Sequence, residues 1–223
     1  RKKREFLRQR FFQQINRVRM ENLRSRISPH FTFNVLGREI NQFNGSEEVK
    51  HNLMELVKYL RRSLELTEKL SVSLQDELDF VRTYIELERG RVGEDFVATI
   101  TVEDELEAAR IMIPSMIVQI PVENAIKHGL AGKDGKKELM VYVSRETNGI
   151  RITVTDNGRG YLPQVVSATR GTGTGLKVLY QTVQLLNTKN KSDKIRFDIT
   201  NRSDGQTGTE VSVYIPFHFS YDL

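Results

Sequence analysis

Three short glycine-bearing segments in the second half of the chain have the residue types needed to hold a nucleotide. Residues 156–160 read DNGRG, residues 171–175 read GTGTG, and residues 208–210 read GTE. Glycine lets the main chain approach a phosphate or a base closely. The helix predicted after Gly175 would add unpaired N–H groups and the positive end of its dipole. Each segment alone is typical of a turn, but together they indicate a nucleotide site.

The spacing of these segments excludes two common phosphate-binding loops. A Walker loop needs Gly-Lys followed by Ser or Thr after four intervening residues, and no segment has that pattern. GTGTGL does not directly follow a predicted strand, as a Rossmann fingerprint must. The chain has no cysteine, which excludes disulfides, thiolate metal sites and cysteine nucleophiles and suits a reducing compartment.

A histidine in the first half is the other residue with evident chemistry. His30 lies in ISPHFTFNVL (27–36), within a helical pattern, directly after Pro29. A proline inside a helix removes one main-chain hydrogen bond, so we expect a bend there, with consequences for how His30 is presented. Without context a helical histidine is usually structural, although its ordinary pKa near neutrality suits proton and phosphoryl chemistry.

The first 90 residues predict two long amphipathic helices. Apolar residues recur at spacings of three and four, and NQFNGSEE (41–48) interrupts them with turn and capping residues. We expect the second helix to fray or kink near TEKLSVS (67–73) and to end near RGRVGED (89–95). An antiparallel hairpin leaves apolar surface exposed, so two copies are expected to pair as a dimeric four-helix bundle. The alternative is that the apolar stripe packs on the second half of the same chain.

The period changes from about residue 96. FVATITV (96–102) alternates like a strand, and residues 113–130 predict a helix bent at Pro121. The remaining pattern predicts a helix at 175–187 and four strands at 138–145, 150–156, 194–201 and 209–217. The first two of these four are separated by ETNG, whose Asn-Gly pair is a hairpin signal. The second half is therefore expected to be a largely antiparallel sheet with helices on one face.

The charge of the chain is concentrated at its start. The net charge is +5 and residues 1–26 carry +8, so the remainder carries −3. This arm predicts either a solvated helix flank or a segment just inside an anionic membrane leaflet, and nucleic-acid binding is not expected. No long apolar run and no signal peptide is present in the sequence, which begins at an arginine. We therefore expect an excised part of a longer protein.

Five segments in one order resemble a known family. The chain is similar to the LytS-type bacterial sensor histidine kinases, through their PHFxFN box and the N, G1, G2 and final-strand boxes of their ATP-binding domain. Those segments here are ISPHFTFNVL (27–36), PVENAIKHG (121–129), DNGRG (156–160), GTGTGL (171–176) and GTEVSVYIP (208–216). The resemblance implies an α plus α/β protein. Its residues 1–91 would be the helical linker, dimerisation and phosphotransfer domain, and residues 92–223 an α/β sandwich of the GHKL (Bergerat) ATP-binding type.

The resemblance also assigns nucleotide-binding roles. Asn124 would help to hold Mg²⁺ against the triphosphate of ATP, and Lys127 would reach a phosphate. His128 would contact the nucleotide or make a structural hydrogen bond. Asp156 would accept a hydrogen bond from the exocyclic amine of adenine, supported through water by the Thr209 hydroxyl. The glycines that would give the backbone room are Gly158, Gly160, Gly171, Gly173 and Gly175.

The implied activity is that of a protein-histidine kinase in a two-component system. His30 would take the γ-phosphoryl group of ATP, and Asn34, one helical turn later, would serve dephosphorylation of the response regulator. In the largest class of histidine kinases an acid follows the histidine, whereas here Phe31 does. The base is therefore open: Glu123 is one candidate, and its alternative role is to orient metal-bound water. A nucleotide-gated ATPase or scaffold of the same fold, or an ATP-binding pseudokinase, remains the alternative function.

Partners and location follow from the same resemblance. The expected partners are a second copy of the chain and a response regulator of LytTR type, with no nucleic acid. The membrane would be reached only through a segment absent from this chain. The chain would then be the cytoplasmic portion of a protein anchored in the bacterial inner membrane.

Overall fold

A computed structural model describes residues 47–161, 174–188, 190 and 192–221. The first predicted helix, including His30 and Asn34, therefore lies outside the described residues, as do Gly171 and Gly173. No described helix has the length and apolar character that crossing a membrane requires.

The second predicted helix is two helices with a strand between them. Helix α1 spans Glu47–Glu68, strand β1 spans Ser71–Ser73, and helix α2 spans Leu74–Val92. The break is sharper than a kink because Val72 and its two serine neighbours leave the helical path to pair antiparallel with β3, Met112–Pro114. Ser73 then caps α2, its hydroxyl accepting a hydrogen bond from the Asp76 N–H at 3.0 Å.

The two helices pack against each other through aromatic side chains. The ring of Tyr59 on α1 stacks on Phe80 of α2 with centroids 4.9 Å apart, and Tyr84 lies one turn further along α2, at 5.8 Å from Tyr59. Helix α2 ends at Val92, next to the domain boundary expected at residues 91 and 92. That boundary remains a prediction, since α2 also packs on the α/β layer.

The α/β layer has one sheet of five strands, in the order β2-β4-β5-β7-β6. Strands β2 and β4 are parallel and the other neighbouring pairs are antiparallel, so the sheet is largely antiparallel, as expected. The bounds are Phe96–Val102 for β2, Lys137–Glu146 for β4, Gly149–Asp156 for β5, Arg196–Asn201 for β6 and Thr209–Pro216 for β7. The predicted hairpin is confirmed, but its two-residue turn is Thr147–Asn148 rather than the Asn-Gly pair, because Gly149 already belongs to β5 and pairs with Glu146. Glycine is required there, because a Cβ at Gly149 would lie 2.3 Å from the Ile215 carbonyl oxygen.

The helix predicted over residues 113–130 starts later than expected. Ile113 and Pro114 belong to β3, and helix α3 spans only Gln119–Asn124 before one π-helical turn, Ala125–Gly129. The expectation of a helix bent at Pro121 is therefore wrong. Pro121 lies in the first turn of α3, where its missing N–H costs no helical hydrogen bond. The irregularity is instead the π turn, closed by the Leu130 N–H and the Ala125 carbonyl at 2.8 Å.

The core lies between one face of the sheet and the helices. Helix α4, Thr174–Asn187, packs against α3 and β6. Alternate residues of the strands are buried on this face, and each fully buried aliphatic side chain contributes roughly 1.5–3 kcal/mol. They include Val141, Val143, Ile150, Ile152, Val211 and Val213. The arrangement confirms an α/β layer with helices on one face, and it brings the end of β5, the π turn and the start of β7 together.

Candidate functional site

Asp156 lies at the end of β5 with its carboxylate buried. The residue is 3% exposed, and its Oδ1 accepts hydrogen bonds from the main-chain N–H of Gly158 at 2.7 Å and of Thr209 at 3.4 Å. Burial raises the pKa of Asp156 above its ordinary value, and the hydrogen bonds from Gly158 and Thr209 oppose that rise. Because both main-chain N–H groups donate to Oδ1, they fix the orientation of the carboxylate.

Three glycines surround this carboxylate at distances that exclude any side chain. A Cβ at Gly129 would lie 2.8 Å from Oδ1 of Asp156, and a Cβ at Gly158 would lie 2.1 Å from the Gly129 carbonyl oxygen. At Gly208, where φ is +138°, a Cβ would lie 1.9 Å from the carbonyl oxygen of Asp156. The π turn, the DNGRG loop and the start of β7 thus meet around one acid, with the backbone in close approach. Gly129 and Gly208 were not among the predicted site residues, although both stand in the quoted boxes.

The N box supplies the polar side chains next to this cradle. Asn124 is the last residue of α3, and its Nδ2 is buried without a hydrogen-bond partner among the described residues. A buried amide nitrogen that has no partner among the described residues is suited to a ligand, since buried polar groups are otherwise almost always paired. The donor set fits the magnesium-nucleotide role expected of Asn124, whose amide oxygen is a hard ligand.

Glu123 is buried and contacts helix α1. It is 6% exposed, and its Oε1 accepts hydrogen bonds from the Tyr59 hydroxyl at 3.4 Å and from Nε2 of Gln119 at 3.3 Å. The Lys127 ammonium lies 3.6 Å from Oε2. The candidate base is therefore held by α1 and by its own helix, and Lys127 contacts this acid.

His128 lies in the π turn at the end of the N box, and Arg159 binds the carbonyl oxygens there. Burial, followed by the charges of Lys127 and Arg159, lowers the pKa of His128 below its ordinary value. A neutral imidazole results at neutral pH, which disfavours a role as a phosphate-binding cation. The Arg159 guanidinium donates to the carbonyl oxygens of His128 at 3.0 Å and Ala131 at 3.3 Å, so it caps the end of the π turn.

An asparagine that the sequence did not single out holds the loop after Gly160. Oδ1 of Asn201, the last residue of β6, accepts from the Tyr161 N–H at 2.6 Å, and its Nδ2 donates to the Tyr161 carbonyl at 3.3 Å. Gly160 has φ of +85°, and a Cβ there would meet Asn201 Oδ1 at 2.7 Å. Further along, Gly175 is the second residue of α4, at the end of that helix where anions bind.

Two family models match successive parts of the chain. Residues 18–96 match the histidine kinase family, and residues 112–218 match the histidine kinase-, DNA gyrase B- and HSP90-like ATPase family. The second range contains Asp156, its glycine cradle and the N box, so the pocket lies in a domain of this ATPase type. That match supports ATP as the nucleotide.

Individual relatives agree with these models. The chain is 28% identical over 202 residues to the sensor histidine kinase YpdA of Escherichia coli (strain K12), covering 90% of this chain and 34% of that protein. It is 30% identical over 207 residues to the sensor histidine kinase/phosphatase LytS of Staphylococcus aureus (strain MRSA252), covering 89% and 34%. The chain therefore spans 34% of the length of these curated relatives.

A solved structure has a similar fold. The histidine kinase domain from the Erythrobacter litoralis EL346 blue-light activated histidine kinase aligns with a TM-score of 0.50 at 15% identity, covering 92% of this chain and 94% of that one. The two family models, in the order of the helical half and then the ATP-binding half, agree with the relatives that match along nearly the whole chain. By the two family models, which together match most of the chain, this chain belongs to the histidine kinases, and YpdA and LytS are among the sensor histidine kinases to which it is similar.

Proposed function

We propose that this chain is the catalytic region of a two-component sensor histidine kinase, which phosphorylates its own His30 with ATP. The observation that carries the proposal is the buried Asp156 carboxylate, held by two main-chain donors inside a cradle of three glycines. A carboxylate fixed in this way accepts a hydrogen bond from an exocyclic amine. It therefore selects adenine over guanine, which presents a carbonyl at that position.

The phosphate end of the nucleotide is assigned to the N box. The amide oxygen of Asn124 would bind Mg²⁺, and the metal would neutralise charge on the triphosphate. The buried Nδ2 of the same amide, which has no hydrogen-bond partner among the described residues, would donate to an acceptor on the ligand. Lys127 would supply a point charge to a phosphate oxygen, moving its ammonium from Glu123. The start of α4, with Gly175, would add main-chain N–H groups. His128 is assigned a structural or neutral hydrogen-bonding role, because its lowered pKa leaves it uncharged.

The proposed reaction moves one phosphoryl group twice. A ring nitrogen of neutral His30 attacks the γ-phosphorus of ATP in line, the bond to the β,γ-bridging oxygen breaks, and ADP leaves. The cationic ring then loses the proton on its other nitrogen to a base or to water. In the second step a carboxylate oxygen of the response regulator attacks the phosphorus, the N–P bond breaks, and the ring takes up a proton from water or an acid, which regenerates neutral His30.

Glu123 is the proposed proton acceptor, with the orientation of metal-bound water as its alternative role. Its carboxylate lies in the helix turn next to Asn124, and donors from Tyr59 and Gln119 fix its position. A base oriented in advance loses little freedom in the transition state. Tyr59 lies on α1, so the contact also joins the helical hairpin to the N box.

The helical half is assigned to dimerisation and phosphotransfer. On α1, Leu53 is 43% exposed and Met54 is 64% exposed, although the opposite side of the helix packs on α2. Apolar side chains left exposed in this way support the pairing of two hairpins into a four-helix bundle. We further propose a LytTR-type response regulator as the partner. A segment outside this chain would anchor the protein in the bacterial inner membrane, with this portion in the cytoplasm.

Incubation of the chain with γ-labelled ATP tests the function. The kinase predicts label on the protein that survives base and is lost in acid, as a phosphorylated histidine would be. ATP turnover without label would favour the nucleotide-gated ATPase, and ATP binding with neither would favour the pseudokinase. Either of those results would overturn the proposal.

A further inference from the structure

A buried glutamate on α2 contacts the segment that leads into the N box. Glu77 is 0% exposed, and its two carboxylate oxygens accept three main-chain hydrogen bonds. Oε2 accepts from the Met116 N–H at 2.9 Å, and Oε1 accepts from the N–H groups of Val118 and Gln119, both at 3.1 Å. Burying a carboxylate in the protein interior costs free energy unless its oxygens accept hydrogen bonds. The three main-chain donors therefore compensate for the burial of Glu77.

The three donors lie where α3 begins and has no cap of its own. Helix α3 starts at Gln119, and Val118, at its N-cap position, makes no side-chain cap hydrogen bond. The first N–H groups of a helix lack partners within the helix and favour a negative charge nearby. Glu77 therefore does from α2 what a capping side chain normally does from within the helix.

The same contact holds a strained turn. Met116 has φ of +69°, the only positive φ of a non-glycine residue in the described parts of the chain. This conformation costs free energy and persists only where its surroundings impose it. Since the Met116 N–H donates to Glu77, the carboxylate helps to fix the turn that sets where α3 starts.

The position of Asn124 depends on both ends of this short segment. Its far end is held by Arg159, through the carbonyls of His128 and Ala131. Its near end is held by Glu77. The helix between them is short, because α3 has only six residues from Gln119 to Asn124. A shift or rotation at the start of α3 is therefore passed to the Asn124 amide, while the cradle at Asp156 is held by its own main-chain bonds.

We propose that Glu77 is a positioning residue for the phosphate end of the nucleotide site, acting through Asn124. This rests on the proposed function, in which Asn124 binds the magnesium of Mg·ATP. Because Glu77 lies on α2, the affinity for magnesium nucleotide then depends on how α2 is placed against the N box. Glu77 itself touches no part of the nucleotide.

The test compares two ligands in the 223-residue chain. Binding of a non-hydrolysable ATP analogue with and without Mg²⁺, and of adenosine without metal, is measured by calorimetry for the wild type and for Glu77→Gln. Loss of a group that orients a metal ligand costs about 10- to 100-fold in metal-dependent affinity. We expect a loss in that range for the magnesium nucleotide and less than about twofold for adenosine, which Asp156 binds.

Two further variants separate positioning from general destabilisation. Glu86→Gln, on the exposed side of α2 where Glu86 pairs with Arg89, is the matched control and should leave both affinities unchanged. Glu77→Asp keeps the charge near the three N–H groups and should recover part of the magnesium-dependent affinity. If Glu77→Gln does not fold, as judged by near-ultraviolet circular dichroism, Glu77→Asp takes its place in the comparison. The expected result is then a smaller loss, still greater for the magnesium nucleotide than for adenosine.

The outcomes distinguish this inference from the function on which it rests. Equal losses for both ligands, or no loss for either, would overturn the positioning role of Glu77. Asn124→Ala is measured alongside: if it abolishes the gain in affinity from Mg²⁺ and Glu77→Gln does not reduce that gain, only the inference fails. If Asn124→Ala leaves that gain unchanged, the magnesium assignment fails instead, and the positioning role fails with it.

Discussion

Replacing Asp156 by asparagine should weaken ATP binding strongly without harming the fold. The two main-chain donors at Oδ1, from Gly158 and Thr209, would retain the oxygen of the new amide at that position. The amide NH₂ group would then face the amine of adenine, donor against donor. A hydrogen bond to a charged group contributes about 1.5–3 kcal/mol. Its loss raises Kd roughly 10- to 150-fold, and the opposed donors place the effect toward the upper end.

The same substitution should stabilise the ligand-free protein, although it weakens ATP binding. Burial is the largest cause of the raised pKa of Asp156, so the folded protein binds a proton there more tightly than the unfolded chain does. The ionised carboxylate therefore destabilises the fold above the raised pKa, and that penalty disappears as pH falls through it. Asp156→Asn removes the charge at every pH, so the ligand-free variant should have a higher free energy of unfolding at neutral pH. ATP affinity of the wild type should fall as acid protonates Asp156.

Calorimetry with an ATP analogue and urea denaturation of the ligand-free protein measure the two effects. Asp198→Asn is the matched control, because Asp198 is an exposed acid on β6 and should leave Kd unchanged. A Kd for Asp156→Asn within about twofold of the wild type would refute recognition of the base by this carboxylate. A loss of affinity together with a lower free energy of unfolding would refute the separation of the two effects.

Three further predictions concern the cradle, the base candidate and the phosphotransfer helix. Gly158→Ala forces a Cβ to within 2.1 Å of the Gly129 carbonyl oxygen, so it should cost at least about 1–3 kcal/mol in urea denaturation; an unchanged midpoint would contradict the close approach. Tyr59→Phe keeps the stack on Phe80 but removes the donor to Glu123, so we expect a loss of about 1 kcal/mol of unfolding free energy, and no loss would mean that the 3.4 Å contact contributes nothing. Asn34→Ala should spare labelling of His30 and slow dephosphorylation of the response regulator, whereas equal loss of both activities would exclude that role.

The strands of the sheet and the glycine segments at its edge could be predicted from the sequence because their signals are local. Alternating strands, the turn signal between β4 and β5 and the glycine segments each reflect local backbone geometry. The assignment of the chain to its kinase family followed from the order of those segments. The roles of the individual site residues, from Asn124 to Thr209, remain predictions.

What the sequence did not reveal depends on contacts between distant segments. The strand at Ser71–Ser73 forms because β3 lies beside it, and nothing in SVS alone distinguishes it from a frayed helix turn. The start of α3 was misplaced because IPSMIVQI (113–120) is mostly apolar, and periodicity cannot separate a short buried strand from a buried helix. Glu77 reads as one more acid in the first turn of α2, and only the fold shows that its carboxylate is buried against three N–H groups.

The central claim is that His30 receives the γ-phosphoryl group of ATP bound in the Asp156 pocket. Mass-spectrometric localisation of the phosphoryl group, on protein kept at alkaline pH after incubation with Mg·ATP, tests it most directly. The account predicts phosphate on the peptide containing His30, its absence in His30→Gln, and a strong reduction in Asp156→Asn. Phosphate on another residue, or on the same peptide in His30→Gln, would contradict it.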